Sequence, residues 1–304
     1  MQSYKELIEI QKSLLGNNHC KDVDLSNLPY WPYGESHPNC TLLNGNIPVG
    51  TFYHPYCILD DDDISLLKSA VGSVGESELI FVPHLRVSDE SCIKKLRDLG
   101  FSLICAEGES IVDPKNRQIA DFLREQIGNK TYRDHLRLVR RAQDFEIRKF
   151  TYDELNNDAL LSLAWCNLFN QHEQKYNNNI VPYGKVLLDK LKGMNCRHEY
   201  RFNVRFHGNE VVQVYLTRKD NNTLYLIASA IKRDSIPSGV NLYTTMMMDV
   251  LNEYDVNGIE KVHLGRGGKK RKLKYGANCY LPHVHAVYTK NKAASLELEL
   301  EESI

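Results

Sequence analysis

The chain has 304 residues, about twice the usual length of one domain, so two domains or a duplicated one are expected. Apolar residues make up 42% and charged residues 25%, and the formal net charge is −1, which excludes a global field that would recruit nucleic acid or anionic lipid. No apolar run is long enough to span a bilayer, and charges interrupt the first ten residues, so no membrane span, no signal peptide and a cytoplasmic location are expected.

The first region is expected to run over 1–112. A helix over Gln2–Leu15 leads into Leu28-Pro29-Tyr30-Trp31-Pro32-Tyr33-Gly34, which is turn chemistry with aromatic packing. His37-Pro38-Asn39-Cys40 and His54-Pro55-Tyr56-Cys57 repeat an H-P-x-C unit whose four N/S ligands would suit zinc. Each His precedes a proline turn and the segment between looks like strand, so turn and strand are preferred and no metal is assigned. The eight cysteines form no CxxC pair and read as free thiols. Asp60–Asp63 suit a helix N-terminus. Glu78–Pro83 then reads as a buried strand, Ser91–Leu99 as a helix capped by Gly100, and Phe101–Cys105 as another strand. This alternation means α/β.

A helical middle section is expected over 113–195. Pro114 opens one helix, Gly128 breaks it, and Thr131 caps the next. Arg133, Arg137 and Arg141 recur every four residues and form a basic stripe, either a solvated face or a phosphate-binding ridge. One further helix is expected near Asp153–Lys175, with Trp165, Leu168 and Phe169 on its packing side.

The region 196–290 begins with three strands, Tyr200–His207, Val211–Thr217 and Thr223–Ile231, joined by hairpin turns. Phe202, Val204 and Phe206 alternate with Arg201, Asn203 and Arg205, predicting one buried and one polar face. After Pro237-Ser238-Gly239 comes an amphipathic helix with Val240, Tyr243, Met247, Val250 and Tyr254 on one side. Ile259–Leu264 reads as a strand, succeeded by a Gly-rich basic segment, Gly265–Gly276, and a last strand near His283–Tyr288. Residues 291–304 are an acidic tail.

The turn Ser238-Gly239-Val240-Asn241, with Lys232 and Arg233 just upstream, would present backbone N–H groups at a helix N-terminus, an anion site by construction. Arg266, Lys269, Lys270, Arg271, Lys272 and Lys274 form the densest positive cluster and would suit phosphates. It is not a P-loop, because no Ser or Thr succeeds the lysine at the required spacing. His283 and His285 share a strand face and could form half a metal site, but structural histidines are the better reading.

The segment Thr223–Gly276 resembles the second half of the GNAT acyltransferase fold, in the branch of Fem-type aminoacyl-tRNA-dependent ligases and CelD-like proteins. The residues carrying the resemblance are Ser238–Tyr243, Gly258-Ile259, His263–Gly267 and Lys272–Ala277, with Leu99-Gly100-Phe101 and Tyr132–Arg141 similar to the branch's middle section. It implies an α/β (α+β) chain of tandem GNAT-like lobes, the first degenerate, with a donor site beside the cleft between them. Two features depart from acyl-CoA enzymes: only Gly239 of the expected loop glycines is present, and Lys272 stands where a tyrosine is usual. Both favour the Fem-like reading.

The reaction that the resemblance implies is transfer of an acyl or aminoacyl group to an amine on a small molecule or peptide, by direct attack. Aminoacyl-tRNA or acyl-CoA would be co-substrate, with no tightly bound cofactor, tRNA as a partner in the first case, and no DNA. Backbone N–H groups around Ser229-Ala230-Ile231 would polarise the donor carbonyl. Lys272 would offset charge on the leaving group or hold a phosphate, Tyr275 is the alternative acid, and Glu173, His172 and Glu199 are candidate bases, each otherwise a surface group. An ordinary acetyl-CoA-dependent N-acetyltransferase and a non-catalytic RNA-binding module are the alternatives.

Overall fold

The computed structural model describes residues 41–42, 59, 61–73, 79–175, 183–192, 195–256, 258–266 and 268–289. The helix expected at 2–15, the aromatic turn at 28–34, both H-P-x-C units and the acidic tail lie outside them. In chain order the elements are β1 (Thr41–Leu42), α1 (Asp61–Ser73), β2 (Leu79–Arg86), α2 (Glu90–Asp98), β3 (Ser102–Val112), α3 (Ile119–Ile127) and α4 (Asn129–Arg141). Then come β4 (Phe145–Phe150), α5 (Tyr152–Asn157), α6 (Ala159–Lys175), α7 (Lys185–Leu191), β5 (Tyr200–His207), β6 (Glu210–Asp220) and β7 (Thr223–Ile231). The chain closes with α8 (Leu242–Val256), β8 (Lys261–Arg266), α9 (Lys269–Leu273) and β9 (Cys279–Thr289).

Two compact units result: among the described residues, one holds those up to Gly108 and from Leu281, the other those from Glu109 to Tyr280. In the smaller unit β2 pairs in parallel with β1 and antiparallel with β9. The β2–β9 register shifts between Val82 and Leu85, across Pro83, a residue that has no N–H to give a ladder. Asp89 caps α2 by accepting from the Cys92 N–H at 3.2 Å, and Gly100, at φ 89°, ends it. Leu67, Val82, Leu96 and Ala286 are fully buried at its core.

The larger unit is a sheet in the order β3-β8-β7-β6-β5-β4, antiparallel except for the β7–β8 pair. One face of β5 sends Phe202 against Trp165 of α6, ring centroids 4.9 Å apart, and against Tyr152 of α5. The opposite face was expected to be polar rather than buried. Instead Asn203 and Arg205 are 2% and 3% exposed, and α8 meets that side through Asp249, which pairs with Arg205. Each is hydrogen-bonded there: the Asn203 amide donates to the Arg201 and Tyr215 carbonyls and to Thr217 Oγ1. Arg205 donates to Gln213, to the Phe145 carbonyl at 3.1 Å and to Asp249 of α8. With sheet on one side and α3 and α4 on the other, α8 is buried nearly all round, which explains its three consecutive buried methionines, Met246–Met248.

Local chemistry moved several helix boundaries. Helix α3 begins at Ile119 rather than at Pro114, since Lys115 and Asn116 take positive φ in the preceding turn. Thr131 lies inside α4, which starts directly after Gly128 at φ 82°. The helix expected near 153–175 is two: Asp158 separates them and its Oδ1 accepts the N–H groups of Leu160 and Leu161 at 3.0 Å, opening α6. Thr151 and Glu154 form a reciprocal capping box on α5. Strand β4 was not anticipated, and the basic segment near 270 folds as α9 rather than as loop.

Candidate functional site

Strand β7 ends at Ile231, and the chain turns through Pro237-Ser238-Gly239 to reach α8. Gly239 takes φ 84°, and Val240 N–H closes the turn on the Pro237 carbonyl at 3.3 Å. Asn241 is the cap of α8: its Oδ1 accepts the Thr244 N–H at 3.0 Å, and its carbonyl accepts the Thr245 N–H and hydroxyl. The positive end of a 15-residue helix therefore opens just after Ser238–Val240. There the turn lines an open groove of about 590 Å³ together with Arg233, Arg271, Lys274, Tyr243 and Tyr275. The groove is built wholly from the larger unit.

Tyr275 forms one wall. It is 6% exposed, its hydroxyl lies 2.9 Å from Thr244 Oγ1, and its ring stacks on His135 at 5.0 Å. Burial pushes its phenol above the ordinary value, against a smaller opposing effect of the Thr244 hydrogen bond, so it holds its proton at neutral pH. Tyr243 meets the Tyr275 ring edge-on and carries the Arg271 guanidinium over its own face at 5.4 Å, a cation–π contact. Burial raises the Tyr243 phenol as well.

Helix α9 starts after Gly268, which sits in the left-handed region, and inverts the usual hydropathy. Leu273 is 50% exposed while Lys272 is 6% exposed. Lys272 turns inward, and its ammonium donates to the Gly265 carbonyl of β8 at 2.7 Å. The solvated-face reading of Lys272 is thus excluded by its burial. Lys269, Lys270 and Lys274 point outward, Lys269 lying over the Tyr280 ring at 4.2 Å.

Strands β7 and β8 pair over only three registers, Thr223↔Lys261 to Tyr225↔His263. Beyond that point β7 remains paired with β6 as far as Ile231, but has no register with β8. The N–H and C=O groups of Leu226–Ile231 on that side thus border a gap in the ladder. Ser229, Ala230 and Ile231 are in this stretch, and Ile231 also lines the groove.

The expected residues divide clearly. Ser238, Gly239, Val240, Asn241, Tyr275 and Ile231 come together at the groove, with Arg141 reaching it through a 3.4 Å contact to the Gly239 carbonyl. Lys272 lies behind it at the β8 end. Arg137 pairs with Asp134 at 3.3 Å and Arg133 folds back on the Asn129 carbonyl, both exposed on α4. Lys232 is drawn off to Glu210 in an ion pair. Arg266 ends β8 and Glu173 stands in α6; their side chains lie outside the described residues. His172 is half-buried in α6. Glu199 accepts from Arg218 at 2.8 Å and lines a separate cavity of about 700 Å³ that shares no residue with the groove. Arg233, expected just upstream of the turn, does line the groove, whereas sequence reasoning gave Tyr243 only a packing position and a place in the motif and did not single out Thr244. The periodicity of its helix places Tyr243 among core positions, which hid its second role. The described residues hold no cluster of three or more metal-ligating side chains. Among them no helix is long and apolar enough to cross a membrane.

The chain matches no family model and no curated protein sequence. Among solved structures it is similar to a DUF2156 domain described as the C-terminal domain of a putative lysylphosphatidylglycerol synthetase from Agrobacterium fabrum. That alignment has 12% identity and a TM-score of 0.55, over 79% of this chain and 77% of the other. L-PGS from Bacillus licheniformis is similar at 14% identity and a TM-score of 0.51, over 77% and 76%. A tandem GNAT protein from the clavulanic acid biosynthesis pathway aligns more loosely, at 10% identity and a TM-score of 0.46, over 76% and 73%.

Proposed function

With its GNAT-like α/β fold as the starting point, we propose that the protein transfers an acyl or aminoacyl group from an activated donor to an amine by direct attack. The observation that carries this reading is the coincidence of three features in the larger unit. They are the exposed Ser238–Asn241 turn at the positive end of α8, the cationic and phenolic wall of Arg271, Lys274 and Tyr275, and the ladder gap along β7. A negative donor group is held by the turn's N–H groups and the guanidinium. The donor carbonyl is polarised by N–H groups of Ser229–Ile231, an effect worth a few kcal/mol when such donors are preorganised. Attack by the amine forms the C–N bond as the ester C–O or thioester C–S bond breaks. Tyr275, kept protonated by burial, supplies the leaving group's proton, and the Lys272 ammonium offsets its charge.

An aminoacyl-tRNA donor is placed ahead of acyl-CoA. Lys269 and Lys270 are exposed on α9 next to the groove-lining Lys274, Lys269 lies over the Tyr280 ring, and Arg140 and Arg141 end α4, Arg141 reaching the Gly239 carbonyl. Such a basic, aromatic surface suits a polyanion longer than one pyrophosphate. The aminoacyl product in the name of the Agrobacterium neighbour supports the same order. That same surface also favours a second reading, a catalytically silent RNA-binding module.

The test is transfer itself. Protein is incubated with tRNA bearing a radiolabelled amino acid, or with labelled acetyl-CoA, and with a panel of small amines and a cell extract, and new amide is sought by mass spectrometry. New amide from either donor supports the proposal, and the donor that yields it decides between the two chemistries. Binding of uncharged tRNA without turnover of any donor supports the module instead. A true donor at about a hundred times its Kd adds about 2.7 kcal/mol of stability, which a thermal shift detects.

A further inference from the structure

The polar cavity of about 700 Å³ that holds Glu199 lies at the other end of β7 from the groove and wholly within the larger unit. Strand register builds its floor. Arg201 of β5 faces Thr217 of β6, and Asn203, two residues along β5, faces Lys149 of β4, so these side chains share one face of the sheet. Lys219, two residues beyond Thr217, pairs with Leu224 of β7, and Leu224 and Ile259, 6% and 4% exposed, give the cavity an apolar wall. Three lysine and arginine side chains and four carboxylates line the whole. That balance disfavours a polyanion or a polycation and suits a ligand with one charge of each sign.

Three groups on this floor have hydrogen-bonding capacity that the protein leaves unfilled. Asn203 is 2% exposed and all its hydrogen bonds run from the amide NH2; among the described residues none donates to Oδ1. Thr217 is 6% exposed; its hydroxyl accepts from Asn203, and no described residue accepts its own proton. Buried polar groups of this kind normally have partners, so their open positions point to a ligand. Arg201 is exposed, with Nη1 fixed on the His198 and Tyr200 carbonyls at 2.6 and 2.9 Å. The Nε and Nη2 edge that remains is the fork that grips a carboxylate side-on. Beside it, Glu154 keeps Oε2 in the α5 capping box. The Thr151 hydrogen bonds hold the Glu154 carboxyl below its ordinary pKa and Arg201 adds to the effect, so it is ionised at neutral pH.

We propose that this cavity binds a free aliphatic α-amino acid. The carboxylate takes the Arg201 fork and the Thr217 hydroxyl, the ammonium donates to Asn203 Oδ1 and faces Glu154, and the side chain lies on Leu224 and Ile259. Arg201 and Asn203 stand about 7 Å apart along the strand, a span that an ammonium and a carboxylate on one carbon cover with a hydrogen bond at each end. An aminoacyl ester has no free carboxylate, so the cavity is not a subsite for the transferred group, and the inference stands apart from the transferase reading.

Equilibrium dialysis of labelled L-leucine against the full chain tests it, with isoamylamine, which lacks the carboxylate, and isocaproate, which lacks the ammonium, as competitors. The expected result is saturable binding with a Kd below about 1 mM, each analogue competing at least about tenfold more weakly than unlabelled L-leucine. Arg201→Gln, at an exposed position, is expected to weaken binding by at least about tenfold, and the isosteric Thr217→Val to do the same; where one variant does not fold, the other carries the comparison. Arg271→Gln, in the groove, leaves the Kd unchanged. A Kd above about 1 mM, an analogue that competes within about tenfold of L-leucine, or a Kd unmoved by the cavity variants overturns the proposal. Binding lost through Arg271→Gln instead assigns the amino acid to the groove and overturns it as well, and none of these outcomes bears on transfer.

Discussion

Lys272 is where the local sequence is most misleading. In Lys269–Lys274 a hydropathy argument buries Leu273 and exposes every lysine, yet the backbone after Gly268 turns Lys272 inward and Leu273 outward. No periodicity within a five-residue helix could announce that inversion; the family resemblance singled out the residue, and its burial removes the surface reading. Substitution Lys272→Met keeps the stem and removes the ammonium. The expected outcome is a stability loss of about 1–3 kcal/mol, from the Gly265 carbonyl losing its donor, with transfer falling by at least about a hundredfold. Denaturant titration beside an initial-rate assay separates the two effects. A binding module would instead lose tRNA affinity in proportion to one charge. Gly276 makes a sharper structural case: at φ 86° an added Cβ would lie 2.5 Å from Leu123 Cδ2. Gly276→Ala is expected to cost about 2–4 kcal/mol, read as a lower denaturation midpoint at unchanged slope.

At the scale of elements, strong periodicity is a sound guide. The alternation of Tyr200–His207 and the three- and four-residue spacing within 242–256 gave β5 and α8 almost to the residue. The failures have a common cause: tertiary covering that no single element reveals. Arg201, Asn203 and Arg205 look like a polar face until Asp249 of α8 takes Arg205 and Tyr215 and Thr217 of β6 take Asn203, and Phe145–Phe150 carries too many charges to look like a strand until it is seen as a sheet edge. The Arg205–Asp249 ion pair, with Gln213 donating to the Leu242 carbonyl at 3.1 Å, ties α8 to the sheet and so holds the groove's helix end in place. Desolvation raises the Asp249 carboxyl pKa and Arg205 opposes this. Asp249→Ala strands a 3%-exposed guanidinium and is expected to destabilise by about 3–5 kcal/mol, whereas the double change Arg205→Met with Asp249→Leu should recover most of that loss. A double-mutant cycle by chemical denaturation measures the difference.

For the molecule as a whole, the pairing of distant residues was beyond sequence reading: Glu109 of β3 and His263 of β8 meet as a buried carboxylate–imidazole pair only through strand order, and nothing in either neighbourhood hints at it. The buried phenols confer a property on the whole protein. Burial raises the pKa values of Tyr152, Tyr215, Tyr243, Tyr254 and Tyr275 in the folded state. Unfolded tyrosines release their protons near roughly pH 10, so above that pH the unfolded state binds fewer protons than the folded one. Their contribution is complete below that value and is lost as pH rises towards the raised folded-state values. Denaturation midpoints should therefore be level from about pH 8 to about pH 9.5 and fall steeply by about pH 11, with a further step in tyrosinate absorbance accompanying the unfolding transition.

The break in pairing after Tyr225 and His263 has one more consequence. A strand with one side unmatched has main-chain partners to offer that do not depend on which side chain stands at each position. A ligand carrying amides or carbonyls at strand-like intervals would meet that side through its main chain before its substituents.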